Sequence, residues 1–365
     1  MFCATLVFIC AQALFVRGWE EEMPSPPPSP PPSPPPSPPP LNKFGKKIPV
    51  PQQEFFDLIC QCLREEPVKG NCLEVGYTER NSDGDIYGVL SHWDTSEISD
   101  MSFAFSGLRL TTSGAPFPCT PMLPREVLEQ FNPDLSLWNT SQVLTFLSTF
   151  DSQLAFLGTG LKFWSVSRAR NFVEMFNGCA NFIEPISFWN VENAENMGSM
   201  FRRCTKFKGK GLKYWDVSSV TRMDRMFDAN FEFKEAIGYW DTSHVTNMEK
   251  MFRNAHSFNQ DISKWDTSSV INMFRMFLNA TEFKGTGISK WDVEEVVNMQ
   301  EMFLNATHFN DDIGSTWLGS AATSEQNDIF LGADAFNKIY ECNTDVDGPV
   351  SSCAKQRAPS PWRCD

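Results

Sequence analysis

Four aspartates that each follow a tryptophan are the first candidates for metal chemistry in this sequence. Asp216, Asp241, Asp266 and Asp292 stand at equivalent places in consecutive sequence units, so stacked units would align them. Carboxylates about 4.8 Å apart repel one another unless backbone N–H groups or a cation compensate their charge. The row therefore predicts local capping bonds within each turn, with bound Ca²⁺ as the alternative.

Pairs of methionines offer a second kind of chemistry, the ligation of soft metals. They fall eight and eleven residues after a tryptophan, as in Met248 and Met251, and a phenylalanine such as Phe252 follows. Thioethers bind soft metals, but no histidine or cysteine converges on these positions. We interpret the methionines as hydrophobic core and predict no metal site.

Catalytic motifs are missing from the sequence. The four histidines, His92, His244, His256 and His308, occupy unrelated positions, and no nucleophile elbow, zinc-protease, P-loop or dinucleotide-binding pattern occurs. The formal net charge of −14 and the lack of a basic stripe argue against a nucleic-acid partner. The sequence therefore predicts a protein that is not an enzyme, with no catalytic residues and no cofactor.

An internal repeat must position any residues that carry function. A tryptophan returns every 25 or 26 residues, and an insertion at residues 106–130 separates the first two copies. A fixed period between about 20 and 50 residues indicates stacked repeats. The anchors, which name the units below, are Trp93, Trp138, Trp164, Trp189, Trp215, Trp240, Trp265, Trp291 and Trp317.

Within one unit the apolar spacing predicts a short helix followed by a short strand. Met248, Met251, Phe252 and Ala255 fall on one helical face, and Asn259–Lys264 would return as an extended segment. One unit cannot bury so many large apolar side chains alone, so we expect neighbouring units to share one core. The predicted fold class is an α/β repeat, a solenoid of stacked units with capping elements. Its inner ladders are predicted to hold the tryptophans from Trp93 to Trp291 together with Met248, Met251, Phe252, Met273, Met276, Phe277, Met299, Met302 and Phe303.

The repeat resembles a known family. The stretches WDTSHVTNMEKMF, WDTSSVINMFRMF and FNQDISKWDTS are similar to the 25–26-residue repeat of BspA-like surface proteins, relatives of leucine-rich repeats. We place the repeat domain at residues 85–330, although after Trp317 the pattern dissolves into LGSAATSEQNDIF, as expected of a capping end. The resemblance implies a right-handed solenoid with short parallel strands and a cell-surface role in adhesion or recognition.

The N-terminal flank predicts secretion. Residues 2–16 are apolar but shorter than the roughly 20 residues that span a bilayer. Residues 1–18 are therefore predicted to be a signal peptide, with an uncleaved anchor as the alternative, and no transmembrane span is expected after cleavage. Residues 19–48 are predicted to be a Pro-rich polyproline II stalk, whose Ser-Pro-Pro-Pro units resemble hydroxyproline-rich cell-wall glycoproteins of plants and algae.

Cysteines cluster in the regions that flank the repeats. Residues 49–84 are predicted to form an N-terminal cap containing an amphipathic helix, and residues 331–365 a cysteine-containing C-terminal cap. Such clustering favours disulfides formed in an oxidising compartment. Cys179 and Cys204 occupy equivalent positions of adjacent units, and we interpret them as buried thiols, with a disulfide as the alternative.

Three Asn-x-Ser/Thr sequons mark candidate glycosylation sites at Asn139, Asn279 and Asn305. The last two share one position of the repeat, which lies away from the core face of the predicted helix. We expect these side chains to point outward and to accept glycans without disturbing the fold.

A row of aromatic residues directly before the anchors is the candidate ligand face. In chain order it consists of Phe163, Phe188, Tyr214 and Tyr239, and the next two units place Lys264 and Lys290 there. If these residues point outward, they form an aromatic stripe about 15 Å long, a good surface for sugar rings or apolar protein segments. Period-two alternation with Ile186 and Ile237 is the alternative and would bury the row.

Two functions fit these features. One is a secreted or cell-surface recognition or adhesion protein that presents an elongated face to an extracellular glycan or a surface protein. The alternative is a structural glycoprotein of a cell wall or extracellular matrix, in which the Pro-rich arm binds and the solenoid is a spacer.

Overall fold

The computed structural model describes residues 52–65, 90–107, 130–313, 317, 326–341 and 354–355. The predicted signal peptide, the Pro-rich stalk, nearly all of the insertion and most of the C-terminal cap lie outside the described residues. The described residues include most of the predicted repeat domain.

Regular secondary structure is sparse in the described part of the chain. Helix α1 spans Gln52–Glu65 and helix α2 spans Asp334–Asn337, while β1 (Tyr340–Glu341) pairs antiparallel with β2 (Ala354–Lys355). Short 3₁₀ helices are Leu90–His92, Leu161–Phe163, Leu212–Tyr214 and Ile288–Lys290. The repeat units are built mainly from turns joined by single β-bridges.

Adjacent units pair in parallel through one residue each, seven positions after the anchor. The bridges are Asp100–Thr145, Thr145–Asn171, Asn171–Asn196, Asn196–Arg222, Arg222–Asn247, Asn247–Asn272 and Asn272–Asn298. The strand predicted at Asn259–Lys264 is not formed, because these residues are irregular or in a turn. The side chain of the bridging residue instead starts a run of turns, as where Asn272 Oδ1 accepts the N–H of Phe274 at 2.9 Å.

The segment predicted as a short helix forms consecutive turns. In the Trp240 unit, Lys250 and Asn254 have φ values of 55° and 57°, in the left-handed region that a right-handed helix does not contain. The N–H of Phe252 donates to the carbonyl of Met276 in the next unit at 2.9 Å. Packed helices lie about 8–10 Å apart, whereas equivalent phenylalanine rings of adjacent units are separated by 5.4–5.8 Å. This close spacing leaves no room for a helix in each unit.

Phenylalanine rings twelve residues after the anchors, or thirteen after Trp317, form a continuous row through the core. In chain order they are Phe105, Phe150, Phe176, Phe201, Phe227, Phe252, Phe277, Phe303 and Phe330. Planes of neighbouring rings differ by only 1–12°. Each unit therefore buries its ring between those of its two neighbours.

The tryptophans and methionines predicted for the inner ladders lie in the same core. The tryptophans from Trp93 to Trp291 are at most 4% exposed, and the methionine and phenylalanine ladder residues are fully buried. Trp265 stacks on Trp240 with ring centroids 6.4 Å apart. Its indole Nε1 donates to the carbonyl of Ile237 at 3.0 Å, so the polar edge of the ring is also satisfied.

Helix α1 closes the first unit through one glutamine. The Gln52 Oε1 atom accepts the N–H groups of Ser99 and Asp100, at 2.9 and 3.0 Å, and its Nε2 donates to the Asp100 carbonyl. This side-chain amide thus makes the hydrogen bonds that the backbone of a further unit would make. Phe55 of the helix is fully buried, and its ring centroid lies 5.9 Å from that of Trp138.

The aromatic pattern does not end at Trp317, contrary to the sequence prediction. The ring of Phe330 stacks on Phe303 at 5.8 Å, and that of Phe336 stacks on Phe309 at 5.6 Å. Phe330 and Phe336 are six residues apart, as are Phe303 and Phe309, and this spacing is the sequence signal that identifies a further unit. The core rows therefore extend past residue 330, into the region predicted as cap.

Candidate ligand-binding face

The four aromatic residues before the anchors, named here the aromatic row, lie at the surface. Tyr239 is 80% exposed, Tyr214 46% and Phe188 39%, and Phe163 is half-buried. They occupy one position in four successive units. Exposed apolar groups aligned in this way are typical of a binding surface.

Turn geometry explains why the row is not in the core. Tyr214 ends a 3₁₀ helix that starts after Gly211, whose φ of 95° suits glycine. A Cβ at Gly211 would lie 2.2 Å from a serine side chain of the preceding unit. Residues two apart share a face in a strand but not in a turn, so Ile237 is buried while Tyr239 is exposed.

Lysine ammonium groups lie over three of the four rings. The distances from Nζ to the ring centroid are 5.2 Å for Lys162 and Phe163, 4.9 Å for Lys213 and Tyr214, and 4.6 Å for Lys264 and Tyr239. Cations within about 6 Å of a ring centroid are attracted to the negative face of the ring. The aromatic row therefore also carries ammonium groups, and exposed Lys264 and Lys290 continue the lysines beyond the last ring.

Carboxylates beside the row are held by backbone groups. The Glu235 Oε1 atom accepts the N–H of Gly211 at 3.1 Å, and Asp261 Oδ1 accepts the N–H of Ser263 at 2.9 Å. Hydrogen bonds from Ser263, with smaller contributions from Lys290 and Lys264, hold the pKa of Asp261 below its usual value. Asp261 therefore stays ionised, and both carboxylates are positioned by the backbone of the turns.

The aspartates that follow the anchors make local capping bonds, as predicted. Asp266 Oδ1 accepts the N–H of Ser268 at 3.0 Å and its hydroxyl at 2.6 Å, and Asp216 and Asp241 bond in the same way to the serine two residues on. The bonds from Ser268 lower the pKa of Asp266. Among the described residues, no group of three or more His, Cys, Asp or Glu side chains could hold a metal ion.

Cys179 and Cys204 are free, buried thiols, which confirms their interpretation from sequence. Each Sγ donates to a backbone carbonyl at 3.0 Å, that of Phe150 and that of Phe176 respectively. Burial raises the pKa of both thiols, so neither has the character of a nucleophile. Cys60 and Cys62 are disulfide-bonded.

The three sequons occupy different environments. Asn139 and Asn305 are exposed, whereas Asn279 is half-buried. The amides form a ladder in which Asn305 Nδ2 donates to Asn279 Oδ1 at 3.0 Å, and Asn279 Nδ2 donates to Asn254 Oδ1 at 2.8 Å. A glycan attaches at Nδ2, so a sugar on Asn279 would have to fit around this ladder, whereas Asn139 makes no such contact with a neighbouring asparagine.

A buried charge cluster thirteen residues after the anchors has no counterpart among the predicted site residues. Asp228 is fully buried and accepts from Arg202 at 3.3 Å and from Arg253 at 2.6 and 2.8 Å. Buried charges are tolerated where partners and hydrogen bonds satisfy them. The sequence signal is the order Arg, Asp, Arg at one repeat position of three successive units. Its consequence is that the middle unit has the acid that pairs with the arginines of both neighbours.

The same repeat position holds a second buried acid, Asp151, which should make stability depend on pH. Burial, together with the charge of Glu174, raises its pKa from 3.8 to about 6, although bonds from Ser152 and Asn177 oppose the shift. Because the folded-state pKa is the higher one, folding favours the neutral acid. The stabilising contribution of neutral Asp151 to folding is fully present below the unfolded-state pKa of 3.8 and is lost as pH rises through about 6.

The Asp151→Asn variant is therefore expected to unfold at a higher temperature than the wild type at pH 7. The gain in unfolding free energy is about 1–3 kcal/mol, from roughly 1.4 kcal/mol per unit of pKa shift. Thermal melts between pH 4 and 7 should show a flatter profile for the variant. Asp292→Asn, at an exposed position, is the matched control and should leave the profile unchanged. A variant less stable than wild type at pH 7 contradicts the assignment.

None of the helices in the described residues combines the length and the apolar character of a membrane span.

Comparison with known proteins identifies one family. Three overlapping stretches of the chain, residues 125–237, 198–287 and 285–347, match the model of the Mycoplasma protein of unknown function DUF285, and together they span more than half of the chain. No curated protein matches the chain significantly, and no solved structure does so either.

Proposed function

This chain belongs to the DUF285 family, whose description assigns no function, and we propose that it is a non-catalytic recognition protein. In this proposal its units stack as a BspA-like solenoid and present the aromatic row to an extracellular glycan or surface protein. The protein acts outside the cell, as a secreted, surface or wall-associated molecule. The exposure of Tyr214 and Tyr239 in successive units carries the proposal.

Rigidity of the scaffold supports a binding role for the row. The position of each row residue is fixed by turns, and the units are tied by backbone bonds such as that from the N–H of Phe252 to Met276. A ligand that meets a preformed surface does not have to order it on binding. A repeated surface of this kind suits an elongated ligand better than a compact one.

Features of the flanking sequence support an extracellular location. The apolar N-terminal run and the Ser-Pro-Pro-Pro arm are typical of secreted, wall-associated chains. The disulfide-bonded state of Cys60 and Cys62 favours an oxidising compartment. The resemblance to BspA-like repeats points the same way.

The double variant Tyr214→Ser/Tyr239→Ser tests the proposed face in the full chain. We expect it to lose retention on isolated cell-wall material in a pull-down assay, because both exposed rings are removed. The melting temperature should stay close to that of wild type, since exposed substitutions usually change stability by less than about 0.5 kcal/mol.

Phe231→Ser is the matched control. This phenylalanine is 42% exposed, lies outside the aromatic row and stacks on His256. The control should bind wall material as wild type does. Full retention of the tyrosine double variant overturns the proposed face and favours the structural alternative, in which the Pro-rich arm binds.

A further inference from the structure

Three lysines at the aromatic row differ from the arginines that link adjacent units, whereas a fourth, Lys162, pairs with Glu184 at 3.7 Å. Arg202, Arg225, Arg253 and Arg275 each have a carboxylate partner in an adjacent unit. By contrast, within the described part of the chain Lys213, Lys264 and Lys290 form no ion pair. No described carboxylate forms an ion pair with these three lysines, although Asp261 lies near enough for Lys290 and Lys264 to lower its pKa.

Two of these lysines are placed by the aromatic rings themselves. Lys213 lies over the ring of its neighbour Tyr214, while Lys264 reaches from the next unit onto Tyr239. A strongly hydrated ammonium group that stays next to an exposed ring keeps its donors free for a second partner. The row thus offers ring surface and hydrogen-bond donors with positive charge at the same positions.

We propose, building on the proposed function, that the ligand of the aromatic row is an acidic polysaccharide, one whose sugars carry carboxylate or sulfate groups. Sugar rings would lie against Tyr214 and Tyr239, and the acidic groups would accept charged hydrogen bonds from Lys213 and Lys264. Lys290 extends the positive charge by one further unit.

The repeat favours a polysaccharide over an acidic protein segment. Row positions recur in every unit at a spacing of about 4.8 Å, which suits a polymer with one kind of ring and one kind of acid along its length. An extended peptide places successive side chains on opposite faces, so it would present acids to only some of the lysines. The net charge of −14 does not prevent contact, because salt screens exposed charges beyond about 8 Å at physiological ionic strength.

Calorimetric titration of the full chain with three polysaccharides tests the inference. Polygalacturonate carries a carboxylate on each sugar, its methyl ester has the same rings without the charge, and dextran sulfate carries sulfate instead. We expect polygalacturonate or dextran sulfate to bind about tenfold or more tightly than the methyl ester. The stronger of the two anionic ligands identifies which acid is preferred. Binding should weaken as sodium chloride is added.

Lysine variants separate charge recognition from ring stacking. Lys213→Gln/Lys264→Gln is expected to remove the preference for the acidic polymer while leaving weak binding of the methyl ester. The matched control is Lys234→Gln/Lys284→Gln, which removes two exposed lysines of another repeat position and should bind like wild type.

The outcomes distinguish this inference from the function on which it rests. Equal binding of polygalacturonate and its methyl ester, unchanged by the Lys213/Lys264 substitutions, overturns the acidic ligand and leaves a glycan-binding face. Failure of all three polysaccharides, with tyrosine-dependent retention on wall material intact, also overturns it and points to a protein partner. Loss of the tyrosine dependence on wall material overturns the proposed function itself.

Discussion

Replacement of Trp265 by alanine is expected to lower the free energy of unfolding by about 3–5 kcal/mol, the usual range for a large buried aromatic side chain. The Trp265 side chain is 3% exposed, and its ring centroid lies 6.4, 6.1 and 6.1 Å from those of Trp240, Trp291 and Phe252. The substitution empties a volume shared by three units. It also leaves the carbonyl of Ile237 without its indole donor.

Chemical denaturation followed by circular dichroism measures this effect. Tyr239→Ala is the matched control, because its ring is 80% exposed and its removal should change stability by less than about 0.5 kcal/mol. An equal midpoint for Trp265→Ala and the control would show that the tryptophan row does not support the core.

Deletion of one complete unit, residues 265–290, is expected to leave a folded protein, whereas deletion of residues 265–277 should unfold the neighbouring units. The complete deletion brings equivalent positions together, so that Phe252 would meet Phe303 and Asn254 would meet Asn305. In stacked repeats each unit contacts only its neighbours, so the free energy of unfolding loses only the contributions of one unit and one interface between units. Deletion of half a unit instead shifts every core row out of register and places apolar residues at polar positions of the repeat.

The unit chosen for deletion is one whose removal leaves the buried ion pairs of Asp228 in place. Deletion of residues 240–264 would take Arg253 away from Asp228, leaving a buried acid with one partner fewer. Deletion of 265–290 keeps this cluster, and it brings Lys250 towards Glu301, the partner of Arg275 in the intact chain. Limited proteolysis and thermal melts distinguish the two products. Similar behaviour of the complete and half deletions would contradict stacking of the units.

The positions of the core residues are readable from the sequence because residue identity recurs with the period. Trp265 and Phe252 are buried as their spacing indicates, and the capping role of Asp266 follows from an Asp-x-Ser pattern that acts within three residues. Recurrence also carries signals for the Asp228 cluster and for the unit that ends at Phe336. Both become visible when repeat positions are compared column by column.

The conformation of each unit was decided by tertiary contacts. Apolar residues at Met248, Met251, Phe252 and Ala255 have the spacing of a helical face, and a run of turns buries them equally well. Whether a helix or a run of turns forms depends on where the backbone N–H groups find acceptors. A neighbouring unit at ring-stacking distance provides carbonyl acceptors for the N–H groups of alternate residues. A helix would satisfy its N–H groups internally but would hold the units too far apart for their rings to stack.

Exposure of the aromatic row was settled in the same way. Sequence alternation pairs Tyr239 with buried Ile237, and in a strand both would face the core. The turn before Trp240 places Tyr239 at the surface, where the ammonium group of Lys264 in the next unit lies 4.6 Å from the centroid of its ring. The sequence by itself determined the period, the anchors and the buried residues, because each depends on residue type and spacing alone. Only the tertiary structure decided the turn conformation and the outward face, because both depend on hydrogen bonds and contacts between residues about 25 positions apart.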